Sequence, residues 1–102
     1  MEFFTQYELV PLHDSAASFY GKAKVWSFRD GAAKTLVSYD TPVCWMNADG
    51  NVHRLWAGWS STTGRHVVEF CRQATPIGRR PRVMCKKAWE ALPVEPAPDF
   101  MQ

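Results

Sequence analysis

The sequence predicts an α+β domain. An antiparallel meander of four to five strands is packed by one helix at about residues 62–73, and a second, basic helix follows at about residues 81–92. Three observations carry this prediction. Short runs of β-forming residues are separated by Asp-Gly turns, one amphipathic stripe follows a row of hydroxyl side chains, and a second stripe follows a cluster of arginines. A chain of 102 residues has room for a single core.

The predicted strands occupy the first half of the chain. Residues 1–12 alternate weakly, and residues 15–19 are predicted to form a helical turn. The better-marked strands lie at about residues 22–28, 35–39, 43–46 and 52–56. Asp30-Gly31 and Asp49-Gly50 mark turns, because this dipeptide favours the left-handed backbone of a tight hairpin. Pro42 is expected to interrupt the ladder, since proline has no N–H to donate.

Both faces of the predicted sheet carry large apolar side chains. One face is assigned Val25, Val37, Val43 and Val52, and the other is assigned Trp26, Phe28, Leu36 and Leu55. One helix covers only one face of a sheet. The second face is therefore either covered by the N-terminal segment or the C-terminal helix, or open to a partner.

The two predicted helices have clear boundaries. Ser60, Ser61 and Thr62 are all suitable N-caps for the first helix, and Pro76 ends it. Its apolar stripe consists of Thr63, Val67, Phe70, Cys71 and Ala74. The stripe of the second helix consists of Met84, Cys85, Ala88, Trp89 and Leu92. Residues 1–92 are thus predicted to form one domain, and residues 93–102 an extended, flexible tail rich in proline and acid.

The composition favours a bacterial cytoplasm over a membrane. No apolar run approaches the roughly 20 residues that span a bilayer, and the N-terminus does not resemble a signal peptide. The three cysteines are an odd number without close pairing, which favours reduced thiols. They and the histidines also lack the spacing of a zinc site, so neither a metal nor another cofactor is predicted.

A basic cluster is the strongest candidate for a binding surface. Five basic residues fall within nine positions, with no acid among them: Arg79, Arg80, Arg82, Lys86 and Lys87. They could neutralise phosphates or meet an acidic protein surface. The chain also contains five tryptophans, of which Trp26 and Trp89 are assigned to the same binding function. The alternatives are a solvated helix start and a cluster masked by the acidic tail.

His66 is the one residue that invites a catalytic hypothesis. It could serve as a general base with Ser60 or Thr63 nearby. The structural alternative is a neutral histidine bonded to the sheet near Tyr39 or Thr41. The sequence offers no oriented acid and no oxyanion loop, so no catalytic residue is predicted.

Four pieces of the chain resemble a small uncharacterised domain family of phages and gut Firmicutes. They are Ser18–Ala23, Leu36–Val43, the Trp59-Ser60 step and Thr62–Phe70. The resemblance covers about residues 18–74. It implies a strand-rich domain closed by one helix, and a phage or mobile-element context, and it assigns no catalytic residue.

The expected function is therefore non-enzymatic. We expect an accessory protein that binds a host protein or nucleoprotein complex, for example as an anti-CRISPR-like inhibitor of host defence. The alternative is direct binding of DNA or RNA by Arg79–Lys87, with Trp26 or Trp89 stacking on bases.

Overall fold

A computed structural model describes residues 4–12, 21–28 and 33–101. Five strands follow one another along the chain and pair in the same order, β1 to β5, each antiparallel to the next. Their bounds are Phe4–Glu8 (β1), Ala23–Phe28 (β2), Ala33–Ser38 (β3), Thr41–Met46 (β4) and Val52–Arg54 (β5). The predicted antiparallel meander of four to five strands is confirmed, and it has five. The helical turn predicted at residues 15–19 and the turn at Asp30-Gly31 lie outside the described residues.

The register decides which side chains enter the core. Val25 stands opposite Leu36, which in turn stands opposite Cys44, and all three are buried in the core on one face. The assignment of Leu36 and Val37 to the two faces was therefore wrong, since Val37 pairs with Lys24 and belongs to the other face. A shift of one residue moves every side chain of a strand to the opposite face.

The β3–β4 turn consists of only two residues. Tyr39 and Asp40 both have positive φ angles, of 50° and 68°. Two such angles in a two-residue hairpin are the mark of a type I′ turn, which usually contains asparagine and glycine. Pro42 lies inside β4 and stands opposite Val37, beside a register shift between Leu36 and Val37. It is accommodated because prolines are tolerated at bulges and strand starts.

One long helix, α1 (Ser61–Ala74), packs on the core face of the sheet. Ser60 is its N-cap, and the Ser60 side chain accepts a hydrogen bond from the Thr63 N–H at 3.0 Å. Val67 and Phe70 are fully buried against the strands. The predicted helix is confirmed, with one residue added at each end.

The second helix, α2, is shorter than predicted. It covers only Lys86–Glu90, with Cys85 as the N-cap, whereas the prediction began at Pro81 and ended at Leu92. The backbone before it is not helical, and the side chain of Val83 is exposed while that of Met84 is buried in the core. Pro81 disfavours a helical conformation only at Arg80, the residue before it, so it does not account for the non-helical backbone of residues 81–85.

The second face of the sheet is covered by the chain beyond α2. Val94 forms a parallel bridge with Arg54, and the Glu95 N–H donates to the Arg54 carbonyl at 2.8 Å. A short 3-10 helix, Asp99–Met101, then places Phe100 edge-on against Phe28 and Trp45, with ring centroids 4.9 and 5.1 Å apart. Flexibility of this tail stays a prediction, and these contacts weigh against it.

None of the helices in the described ranges combines the length and the apolar character needed to cross a bilayer.

Candidate functional site: a basic segment and a pocket beside Trp59

The basic segment, residues 79–87, connects α1 to α2 at the surface. After α1 the chain turns at Gly78, where φ is +88°, and the Arg79 N–H donates to the Pro76 carbonyl at 3.1 Å. All five basic side chains are exposed: Arg79, Arg80, Arg82, Lys86 and Lys87. Met84 is buried in the core and fixes the middle of the segment to the domain.

Few negative charges oppose the basic segment. Arg79 lies 3.7 Å from the Asp49 carboxylate, and both side chains are mostly exposed. An exposed pair of this kind contributes little to stability. Across residues 4–12, 21–28 and 33–101, no carboxylate lies within ion-pair distance of Arg80, Arg82, Lys86 or Lys87. The segment therefore presents four positive charges without a described counter-ion.

Two aliphatic side chains share this surface. Ile77 and Val83 are almost completely exposed, although each carries a branched apolar group. Protein interfaces bury apolar groups together with arginines, whereas the charged phosphates of a nucleic acid backbone offer aliphatic side chains no apolar surface to pack on. The segment is thus both basic and locally apolar.

The acidic tail does not fold onto the basic segment through Glu95. The Glu95 carboxylate lies 3.0 Å from Nδ1 of His53, and the His53 ring stacks on Trp45 at a centroid distance of 4.2 Å. Both rings belong to the face of the sheet that the tail covers. Glu95 is thereby held away from residues 79–87.

The two tryptophans assigned to the binding surface occupy other places. Trp89 has no exposed surface, and its indole Nε1 donates to the Gly58 carbonyl at 2.7 Å. The Arg54 guanidinium lies over its ring at 5.3 Å. A ring buried in this way cannot stack on a ligand, so the assignment of Trp89 to the binding surface was wrong. Trp26 is half-buried on the face opposite α1 and donates to the Gln6 side chain at 2.8 Å, away from the basic segment.

His66 bonds to the sheet. Its Nδ1 lies 2.8 Å from Oγ of Ser38, and the same oxygen lies 3.2 Å from Oγ1 of Thr63. All three side chains are buried. Ser60, considered above as a partner, caps the helix instead. This arrangement is the structural alternative, in which the imidazole joins α1 to the end of β3.

Two of the three thiols are buried. Cys44 and Cys71 lie in the core, while Cys85 is exposed at the start of α2. Burial raises the pKa of the Cys71 thiol to about 12, against an opposing effect of Arg82, and burial raises the pKa of Cys44 as well. In the described part of the chain, no group of three or more histidine, cysteine and carboxylate side chains is placed to hold a metal ion.

A pocket that the sequence did not reveal lies between Trp59 and α1. It measures about 250 Å³, and its walls include Trp59, Gly64, Arg65, Val68, Glu69 and Arg72. The Trp59 ring rests on the helix backbone at Gly64, where an added Cβ would stand 2.6 Å from Cζ2. The signal in the sequence was a glycine inside a helix, where it costs about 1 kcal/mol relative to alanine.

The fold and these two surface features define a small α+β domain with a basic segment and a pocket beside Trp59. The chain belongs to a family of unknown function, DUF8033, whose model matches residues 7–91. The match extends beyond the resemblance noted at residues 18–74, and it includes the basic segment and α2. No curated protein and no solved structure matches the chain.

Proposed function

We propose that the protein is a non-enzymatic binding protein whose basic segment contacts the phosphate backbone of a nucleic acid. The observation that supports this most directly is the presence of four exposed basic side chains without a described counter-ion: Arg80, Arg82, Lys86 and Lys87. Binding to phosphates releases counter-ions from the nucleic acid, which provides a favourable free energy that does not depend on base sequence. A low net charge of +2 is compatible with this, because the positive charge is concentrated in one segment.

A salt titration tests the proposal. Fluorescence anisotropy with labelled single- and double-stranded DNA and RNA measures the dissociation constant between about 50 and 200 mM salt, a range over which several phosphate contacts weaken binding by orders of magnitude. The variant Arg80→Gln/Arg82→Gln/Lys87→Gln removes three charges from exposed positions. We expect weaker binding and a log–log salt slope smaller by about 2–3, since each contact contributes about 0.7–0.9.

The matched control removes the same charge elsewhere. Lys22, Lys24 and Lys34 belong to the β2–β3 part of the chain and are replaced by glutamine. Lys24 is paired with Asp40 at 3.4 Å and Lys34 lines a cavity with Ile77, so the fold of this variant is checked by circular dichroism before its affinity is compared. We expect this control to bind as the unmodified protein does. Absence of binding at 50 mM salt, or an equal loss in both triple variants, would contradict the proposal.

A second candidate function is inhibition of a host-defence nucleoprotein by occlusion, in an anti-CRISPR-like manner. The exposure of Val83 within the basic segment, and of Ile77 just before it, supports a protein partner, and the resemblance to a phage family supplies the context. We expect the variant Ile77→Ser/Val83→Ser to lose inhibition of target cleavage by a reconstituted effector complex. The same variant should keep its affinity for free nucleic acid. Cleavage that continues at saturating protein would contradict this second candidate.

A further inference from the structure

The pocket beside Trp59 lies close to α2, the helix whose first two residues end the basic segment. The Trp59 ring centroid lies 6.0 Å from that of Trp89, the buried anchor of α2. Lys86 and Lys87 project from the same short helix and are exposed. The pocket therefore lies beside α2, the short helix that carries two of the proposed phosphate contacts.

The Trp59 ring is held in place before any ligand arrives. Gly64 offers no side chain, so one part of the ring lies directly on the backbone of α1. The ring also packs against the edge of the core. A side chain that is already fixed loses little conformational entropy on binding. Trp59 and Val68 thus form a rigid apolar wall in a cavity of about 250 Å³.

Positive charge borders this wall. Arg65 and Arg72 both line the pocket and are separated by seven residues of α1, which is two turns or about 10 Å along the helix axis. Arg72 is exposed. An apolar wall between cationic groups matches a ligand with a flat aromatic body and anionic groups on either side.

Among the described residues that line the pocket, Glu69 is the one acid. Its side chain is only 1% exposed, and its Oε2 accepts a hydrogen bond from Nε2 of Gln73 at 2.7 Å. The Gln73 Nε2 also lies 2.7 Å from the Val10 carbonyl, which ties the acid to the N-terminal part of the chain. Glu69 therefore offers little accessible negative surface to a ligand.

We propose that this pocket receives one unpaired base of a single-stranded nucleic acid, which stacks against Trp59 while Arg72 binds an adjacent phosphate. The inference rests on the proposed function, because the basic segment supplies the rest of the backbone contacts. Stacking on an aromatic side chain adds affinity with little dependence on base identity. A base within a duplex cannot enter the pocket without leaving its stack.

Oligonucleotides with and without bases separate the two proposals. An abasic strand carries the same phosphates as a base-bearing strand of equal length. The two strands differ in the bases, which are the groups that the pocket is proposed to bind. We expect the protein to bind the base-bearing strand about 5- to 150-fold more tightly, the range given by about 1–3 kcal/mol per stacked base. Trp59→Leu should reduce this preference to near one while keeping the affinity for the abasic strand. Trp26→Leu, a tryptophan on the other face of the sheet, should keep the preference.

A second measurement uses the unmodified protein, so its result does not depend on whether the Trp59→Leu variant folds. A strand with a single 2-aminopurine should lose fluorescence on binding if its base stacks on an indole ring, and the same base in a duplex should not. Failure to bind either strand contradicts the proposed function itself. Equal binding of base-bearing and abasic strands, or a preference that persists in a folded Trp59→Leu variant, would contradict base stacking in the pocket. Either result would still be consistent with phosphate binding by the basic segment.

Discussion

Ser38 and His66 join the sheet to the helix through a buried hydrogen bond. Oγ of Ser38 lies 2.8 Å from Nδ1 of His66, at the point where β3 ends and α1 completes its second turn. Neither side chain has appreciable exposure. A buried hydrogen bond of this kind favours one position of α1 on the sheet, because any other position would break the bond between the two buried groups.

His66→Ala should therefore destabilise the domain. The substitution leaves a cavity and removes a partner of Ser38, which together cost about 2–5 kcal/mol of unfolding free energy. Urea denaturation followed by circular dichroism measures the change. Ser61→Ala, at an exposed position of the same helix, is the control and should stay within about 0.5 kcal/mol. An unchanged stability in His66→Ala would contradict this structural role and revive the catalytic hypothesis.

Trp89→Phe tests the assignment of that ring to the core. The change keeps an aromatic ring but deletes the Nε1 donor, and leaves the buried Gly58 carbonyl without its partner. We expect a loss of about 1–3 kcal/mol of unfolding free energy. Trp26→Phe removes a more exposed donor and should cost less than about 1 kcal/mol. Equal effects of the two substitutions would mean that Trp89 is not the buried anchor of α2.

Thiol titration reports on the packing of the three cysteines. At pH 8, Ellman's reagent should modify Cys85 quickly and the two buried thiols only on unfolding, because the reactive species is an accessible thiolate. Cys85→Ala should remove the fast phase. A fast phase that remains in this variant would show that Cys44 or Cys71 is accessible.

The raised pKa of Cys71 also predicts a loss of stability at alkaline pH. In the unfolded chain the thiol ionises near its ordinary pKa of 9.0, whereas in the folded protein burial raises the pKa to about 12. The unfolded state therefore releases its proton first, and the contribution of this group, complete below pH 9, is lost as the pH rises towards about 12. Cys71→Ala, compared with the unmodified chain in urea titrations from pH 8 to pH 10, should show a weaker pH dependence. An identical dependence in both would contradict the burial of this thiol.

Phe100→Ala should loosen the C-terminal tail. The Phe100 ring meets Phe28 and Trp45 edge-on, and such aromatic pairs contribute about 0.5–1.5 kcal/mol each beyond the area they bury. We expect unfolding to require about 1–3 kcal/mol less, and limited proteolysis to cut the tail sooner. Pro96→Ala, at an exposed position of the same tail, should have little effect. A tail that is cut equally fast in both variants would contradict its docking on the sheet.

The architecture could be predicted because local signals agreed with it. Asp49-Gly50 marked a turn between strands, and Ser60 with the stripe from Thr63 to Ala74 marked a capped helix. The register could not be predicted, because it depends on a two-residue turn at Tyr39-Asp40, and tyrosine does not favour positive φ. The exposure of the basic segment could be predicted, because charged side chains are seldom buried without a partner.

The candidate site was only partly predictable, because it too depends on contacts that form only in the folded chain. An amphipathic pattern does not distinguish a tryptophan on a helix face that meets the core from one that meets a ligand, so Trp89 was assigned to the surface although it is buried. Trp59 was noted only as part of the family resemblance and was not assigned to a binding surface, because its position depends on Gly64, five residues along the chain, which it contacts only in the folded helix. Proximity between a ring and a backbone is a property of the folded chain.

The Tyr39-Asp40 turn also bears on the order in which the domain folds. Tyr39 in the left-handed region costs about 1–2 kcal/mol, while aspartate is better tolerated there, so the loop contributes little to early pairing of this hairpin. We expect β3 to close on β4 after α1 docks and His66 reaches Ser38. In the folding transition state we accordingly expect native contacts around α1 and its cap, while the two strands that the turn connects pair late.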